Sequence, residues 1–265
     1  MSWSNRSMLP SAPDPRFIRS GDVQLATYEI GDPDTPPVML VHGFASSAES
    51  NWVLTGWTRE LTRNGYRVIA LDHRAHGRSD KPHDRAAYSM SIMRDDVFRV
   101  MDAYAIASAP WVGYSMGARV TWYSALTEND RVTRAVLGGI PKADPFARLD
   151  ITQARNYAEM GIPMTDAVTR TYIEMASERG DNDLFALVAL VEGLRGDPHA
   201  SIDKAPPHPL LIAAGSDDTI ANEARLLADE APDARFIDLP GRTHFNAPTS
   251  GAFRRAAIEF LQEGA

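Results

Sequence analysis

Residues 111–120 read WVGYSMGARV, with Ser115 set between Gly113 and Gly117. The apolar residues before Ser115 form a short strand, and MGARV after it begins a helix. A serine at a tight strand-to-helix turn stands above the end of a sheet. The two glycines keep side chains out of that turn, and the next backbone N–H points at the same spot. The pattern predicts a nucleophile at Ser115, and the alternative is a serine that only caps the next helix. A base, an acid and oxyanion donors in a workable order elsewhere in the chain decide between them.

The runs around this stretch define the fold class. VMLVHG, RVIALDHR, RAVLGG and PLLIAAG are short apolar runs that suit strands buried on both faces of a parallel sheet. VQLATYEIG alternates like a strand, and RFIDLPG is a further strand. In MRDDVFRVMDAY, the residues Met93, Val97, Val100, Met101 and Tyr104 fall on one helical face. ANEARLLADEA and SGAFRRAAIEFLQ read as helices. Strands alternating with helices predict an α/β protein with a mostly parallel, doubly wound sheet. The rhythm breaks between about 141 and 207, where ITQARNYAEM, TDAVTRTYIEMASER and DLFALVALVEGL all look helical. The expected organisation is a loose, Ser- and Pro-rich tail over 1–15, a core over 16–140 and 208–265, and a helical cap over 141–207.

A serine hydroxyl needs a general base, usually a histidine held in one tautomer by a carboxylate. His244, in LPGRTHFNAP, follows the last strand and can reach the sheet edge where Ser115 stands. His42 adjoins Gly43 and reads as a brace for the neighbouring loop. His73, His76, His83, His199 and His208 read as plain loop histidines. Candidate acids are Asp217 and Asp218 after PLLIAAG, with Asp144 as rival. Asp72 precedes the serine and is expected to hold its own turn, by pairing with Arg74 or Arg78. Oxyanion donors are expected from the backbone N–H of Met116 and of Phe44, in the loop after VMLVHG.

Taken in order, HGF, DHRAHGRSDKP, GYSMG, AGSDD and GRTHF resemble the α/β-hydrolase fold superfamily, over nearly the whole chain after the tail. The resemblance implies the order Ser115, Asp218, His244. It favours Asp218 because many members place the acid three residues after the glycine closing its strand, here Gly215. It also implies that the helical segment roofs the site. Serine at 115 disfavours haloalkane dehalogenases and epoxide hydrolases of this superfamily, which use aspartate there. His-Gly-Phe differs from the Gly-Gly-Gly-x loop of hormone-sensitive-lipase-like esterases.

The expected activity is ester hydrolysis through an acyl-enzyme, with a small-molecule ester as partner and neither metal nor organic cofactor. Met160, Met164, Tyr172 and Met175 are candidates to line an apolar pocket, and Trp52 and Trp57 to wall its entrance; packing is the alternative for each. Their character points to esters with small to medium acyl groups. Rival readings are a carbon–carbon bond hydrolase, a cofactor-free perhydrolase or haloperoxidase, and a ligand receptor on the same fold. HGFASSAES lacks the glycines often found in the oxyanion loop of carbon–carbon hydrolases, which counts against the first.

Bulk properties fit this picture. With 265 residues, 44% hydrophobic and 23% charged, the chain can bury a sizeable core. A formal net charge of −8 speaks against nucleic acid or an anionic membrane as partner. The absence of cysteine excludes disulfides and thiolate metal sites. The first residues lack a basic start followed by an apolar run, so a cytoplasmic protein without membrane insertion is expected.

Overall fold

A computed structural model describes residues 11–127, 130–199 and 202–263. The expected tail therefore lies outside the described residues over 1–10. The chain forms an eight-stranded sheet in the order β1-β2-β4-β3-β5-β6-β7-β8. Its strands are β1 (Arg16–Ser20), β2 (Val23–Ile30), β3 (Pro37–Val41), β4 (Arg67–Leu71), β5 (Ala109–Tyr114), β6 (Val132–Gly138), β7 (Leu210–Gly215) and β8 (Ala234–Leu239). β1–β2 and β2–β4 pair antiparallel, and every later pair is parallel. β1 is a strand that the alternation rule missed. Only Ile18 and Ser20 of its five residues are buried, so its sequence carries little pattern.

The central strands read as continuous apolar runs because both faces are covered. In β3, Met39 and Val41 face one core cluster while Val38 and Leu40 face the other. On the first face lie α2 (Met90–Ala103), α3 (Met116–Thr127) and α7 (Ala221–Glu230), anchored by Met93, Val97, Val120 and Leu227. On the second lie α1 (Trp57–Arg63) and α8 (Gly251–Gln262), where Trp57, Leu61, Phe253 and Phe260 pack. Parallel pairing through β3, β5, β6, β7 and β8 brings their C-terminal ends, and the loops that follow, to one edge.

Between β6 and β7 the described residues make three helices, α4 (Ile151–Met160), α5 (Ala167–Ser177) and α6 (Leu184–Leu194). Each starts on an aspartate whose carboxylate accepts the N–H three residues on: Asp150 from Gln153, Asp166 from Thr169, Asp183 from Ala186. Such caps satisfy one of the donors that a helix start leaves unpaired. Ala154, Met164, Ile173 and Val188 form a small core within this insertion. No helix among the described residues is long and apolar enough to cross a membrane.

Candidate active site

Ser115 sits between β5 and α3 with φ 52°, a left-handed conformation that is uncommon outside glycine. The turn is tight enough to require both flanking glycines. A Cβ on Gly117 would stand 2.0 Å from the Val41 carbonyl oxygen, and one on Gly113 2.6 Å from the Gly117 carbonyl oxygen. Ser115 N–H donates to the Gly138 carbonyl at 2.8 Å, which ties the turn to β6.

The structure brings three of the named side chains into one line. Ser115 Oγ–H donates to His244 Nε2 at 2.9 Å, and His244 Nδ1–H donates to Asp218 Oδ2 at 2.8 Å. The carboxylate can only accept, so it assigns the proton to Nδ1 and leaves Nε2 as the acceptor. The Asp218 side chain is 1% exposed and that of His244 is 27% exposed. Asp218 also accepts the Ile220 N–H at 3.1 Å, which fixes its second oxygen. The rival acids lie elsewhere. Asp217 is exposed and accepts from the Ser216 hydroxyl. Asp144 accepts the N–H groups of Phe146 and Gly196. Tyr114 was not singled out by sequence, yet its hydroxyl donates to the His244 carbonyl at 2.5 Å. Burial and the nearby Asp218 raise the pKa of this phenol, so it stays a donor. A tyrosine ending a buried strand carries no signal that separates this role from packing.

The loop after β3 is held by buried side chains. Gly43 N–H donates to Asn51 Oδ1 at 3.1 Å, His42 Nδ1–H donates to the Gly43 carbonyl at 2.8 Å, and Ala45 N–H donates to His76 Nε2 at 2.9 Å. His42 Nε2 in turn accepts the His73 N–H at 3.0 Å. His42, His73 and His76 are fully buried and their rings touch edge to face, at 4.8 Å and 5.0 Å from His42. Burial pushes His42 down to about 4 and, with its neighbours, His76 to about 3; His73 falls well below the usual value. All three rings are therefore neutral at pH 7. His73 and His76 lie in a loop, as expected, but the turn that carries them is folded into the core.

That turn is organised by Asp72, though not as expected. Its oxygens accept the N–H groups of Ala48 and Arg78 and the Tyr28 hydroxyl. The Arg74 guanidinium instead grips Asp96 through two bonds of 2.6 and 2.7 Å.

Among the candidate pocket residues, Tyr172 is half-buried against Phe44, with ring centroids 6.2 Å apart, and against Phe146 at 6.0 Å. Trp52 does not wall an entrance: it is wholly buried in the second core, edge-on to Trp57 at 5.5 Å. Trp57 is buried too and donates its indole N–H to Pro248. Met164 packs inside the small core of the insertion, and Met160 stands 60% exposed at the end of α4. An apolar residue beside a site reads the same in sequence whether it fills a core or lines a pocket. Among the described residues no three His, Asp or Glu side chains are grouped to hold a metal ion.

Residues 36–161 match the family model described as alpha/beta hydrolase fold. The chain is 34% identical over 146 residues to Epoxide hydrolase A of Mycobacterium tuberculosis, a match that spans 54% of this chain and 43% of that relative. It is 29% identical over 262 residues to the putative carbamate hydrolase RutD of Variovorax paradoxus, covering 88% of this chain and 95% of the relative. The crystal structure of a carboxylesterase from the thaumarchaeon Nitrososphaera gargenis superposes with a TM-score of 0.74 at 18% identity, covering 94% of this chain and 98% of that one.

Proposed function

The chain has the α/β-hydrolase fold, with residues 36–161 matching the family model of that name, and from that premise we propose that it is a serine hydrolase that cleaves carboxylic esters of small molecules through an acyl-enzyme. The observation that carries this reading is the unbroken line from the Ser115 hydroxyl through His244 to the buried Asp218. Ser115 Oγ attacks the ester carbonyl carbon while His244 Nε2 takes its proton. Asp218 keeps the ring in the required tautomer and stabilises the imidazolium. The N–H groups of Phe44 and Met116 receive the charge that gathers on the carbonyl oxygen. His244 then gives its proton to the leaving alkoxide, which departs as alcohol. Water, deprotonated by His244, attacks the acyl carbon, and the carboxylic acid leaves as Ser115 recovers its proton. Each step uses groups of this chain, the ester and water.

A hydroxyl at 115 favours acyl transfer over epoxide opening. Ester and carbamate hydrolysis share that chemistry, which accords with the likeness to a putative carbamate hydrolase over most of the chain. The insertion between β6 and β7 serves as the cap, with Tyr172 beside Phe44 meeting the substrate. The test is turnover of a short-chain p-nitrophenyl ester panel by wild type and Ser115→Ala. Turnover by wild type alone is expected, and activity that survives the substitution overturns the assignment.

A further inference from the structure

Four successive peptide planes surround the Phe44 N–H, and each is held by one buried or half-buried side chain. Asn51 holds the plane between His42 and Gly43, His42 the next, and His76 the plane between Phe44 and Ala45. The fourth, between Ala45 and Ser46, is held from the insertion: Asn182 Nδ2–H donates to the Ala45 carbonyl at 3.1 Å. Peptide planarity means that fixing the Ala45 carbonyl also fixes the Ser46 N–H of the same plane, and that N–H donates at 3.3 Å to the Gly43 carbonyl, whose plane carries the Phe44 N–H. Ala45 has φ 55°, so the chain here is in a conformation its own residue does not favour, and outside contacts have to hold it.

Asn182 is itself well placed for this. The same amide nitrogen donates to the Ala176 carbonyl at 2.9 Å, near the end of α5. Two carbonyl partners identify that atom as nitrogen, because carbonyls only accept. The Asn182 backbone N–H donates to the Arg179 carbonyl at 3.1 Å, closing a turn between α5 and α6. From that turn the Arg179 guanidinium reaches the hydroxyls of Ser50 and Ser47, beyond the same loop. One turn of the insertion thus touches the oxyanion loop at Ala45 and again at Ser47 and Ser50.

We propose that Asn182 is a positioning residue that couples the seating of the insertion to the aim of the Phe44 N–H. The inference rests on the serine-hydrolase reading above. It makes the oxyanion site complete only when the α5–α6 turn is docked. Asn182 touches no reacting atom, and its effect passes through the Ala45 peptide.

Asn182→Asp keeps the shape but turns an acceptor toward two carbonyls, and Asn182→Ala removes the group. Steady-state kinetics on a p-nitrophenyl ester are read beside the inhibition constant of a trifluoromethyl ketone, which reports the oxyanion of the Ser115 adduct. Misplacing a donor by about 1 Å can cost on the order of 100-fold. The expected result is a fall in kcat of about 10- to 100-fold with KM within about twofold, and a matching loss of ketone affinity. A kcat within about twofold of wild type, a loss carried wholly by KM, or unchanged ketone affinity overturns the coupling. Melting temperatures are read in parallel, and the isosteric Asn182→Asp decides if Asn182→Ala does not fold. Turnover that survives Ser115→Ala instead overturns the serine reading itself. Loss in Ser115→Ala with wild-type kcat in Asn182→Asp overturns only the coupling.

Discussion

His244 and the trio His42, His73 and His76 are the same side chain in two neighbourhoods. His244 stands at the sheet edge, partly exposed, with a carboxylate on one ring nitrogen and a hydroxyl on the other. The trio lies under the loop after β3, fully buried, with one another and with backbone groups for company. A carboxylate partner makes an imidazolium affordable for the moment that catalysis needs it. Burial without one keeps the ring neutral, and at His42 and His76 it turns the ring into a fixed donor and acceptor. In the proposed mechanism the first neighbourhood moves a proton, while the second refuses one.

The strongest way to break this contrast is to remove the carboxylate. Asp218→Asn is expected to lower kcat/KM by about 10⁴-fold, whereas Asp217→Asn and Asp144→Asn stay within about tenfold, read on the same ester. A loss centred on either of the other two would reassign the acid. Next, His76→Phe removes the acceptor for the Ala45 N–H while keeping a ring in the space. We expect kcat to fall by about 100-fold, with KM little changed, because an oxyanion donor loses its aim; equal rates in the two proteins would make the trio mere filling.

Acid should separate the neighbourhoods by stability. In the unfolded chain these rings take a proton near pH 6.5, but the folded chain refuses it until about pH 4 at His42 and about pH 3 at His76. Between those values the unfolded state binds more protons, so stability is full above pH 6.5 and is lost as the pH falls. Each such ring contributes about 2 kcal/mol of loss by pH 5. Urea unfolding midpoints at pH 7 and pH 5 measure it, and His76→Phe should show a shallower pH dependence. The smallest effect belongs to a third kind of histidine. His83 is mostly exposed and pairs with Asp183 at 2.9 Å, so His83→Ala should leave turnover unchanged and stability within about 0.5 kcal/mol by the same urea assay.

Much of this was readable from residues because the sheet edge is a simple rule. Strand runs place Ser115, Asp218 and His244 at one edge without any knowledge of side-chain packing. The helices of the insertion were readable for a similar local reason, since their apolar stripes and aspartate caps lie within each segment. What was not readable depends on contacts between distant segments. His73 and His76 are loop residues, and nothing local in the sequence shows that Asp72 folds their turn inward. Trp52 and Met164 look like pocket residues until the elements they pack against are known. Asn182 gives no sign in sequence that it reaches Ala45.

The turn that carries Ser115 has one more consequence, for how the molecule comes into being. Its backbone is tied to Gly138 in β6, and Gly117 lies close against the Val41 carbonyl in β3. These contacts join segments far apart along the chain, and closing such long loops is the slow part of assembling a parallel sheet. The strained serine conformation has nothing to hold it until the strands on both sides are in place. The geometry on which the proposed reactivity of Ser115 rests therefore arrives only with the finished sheet.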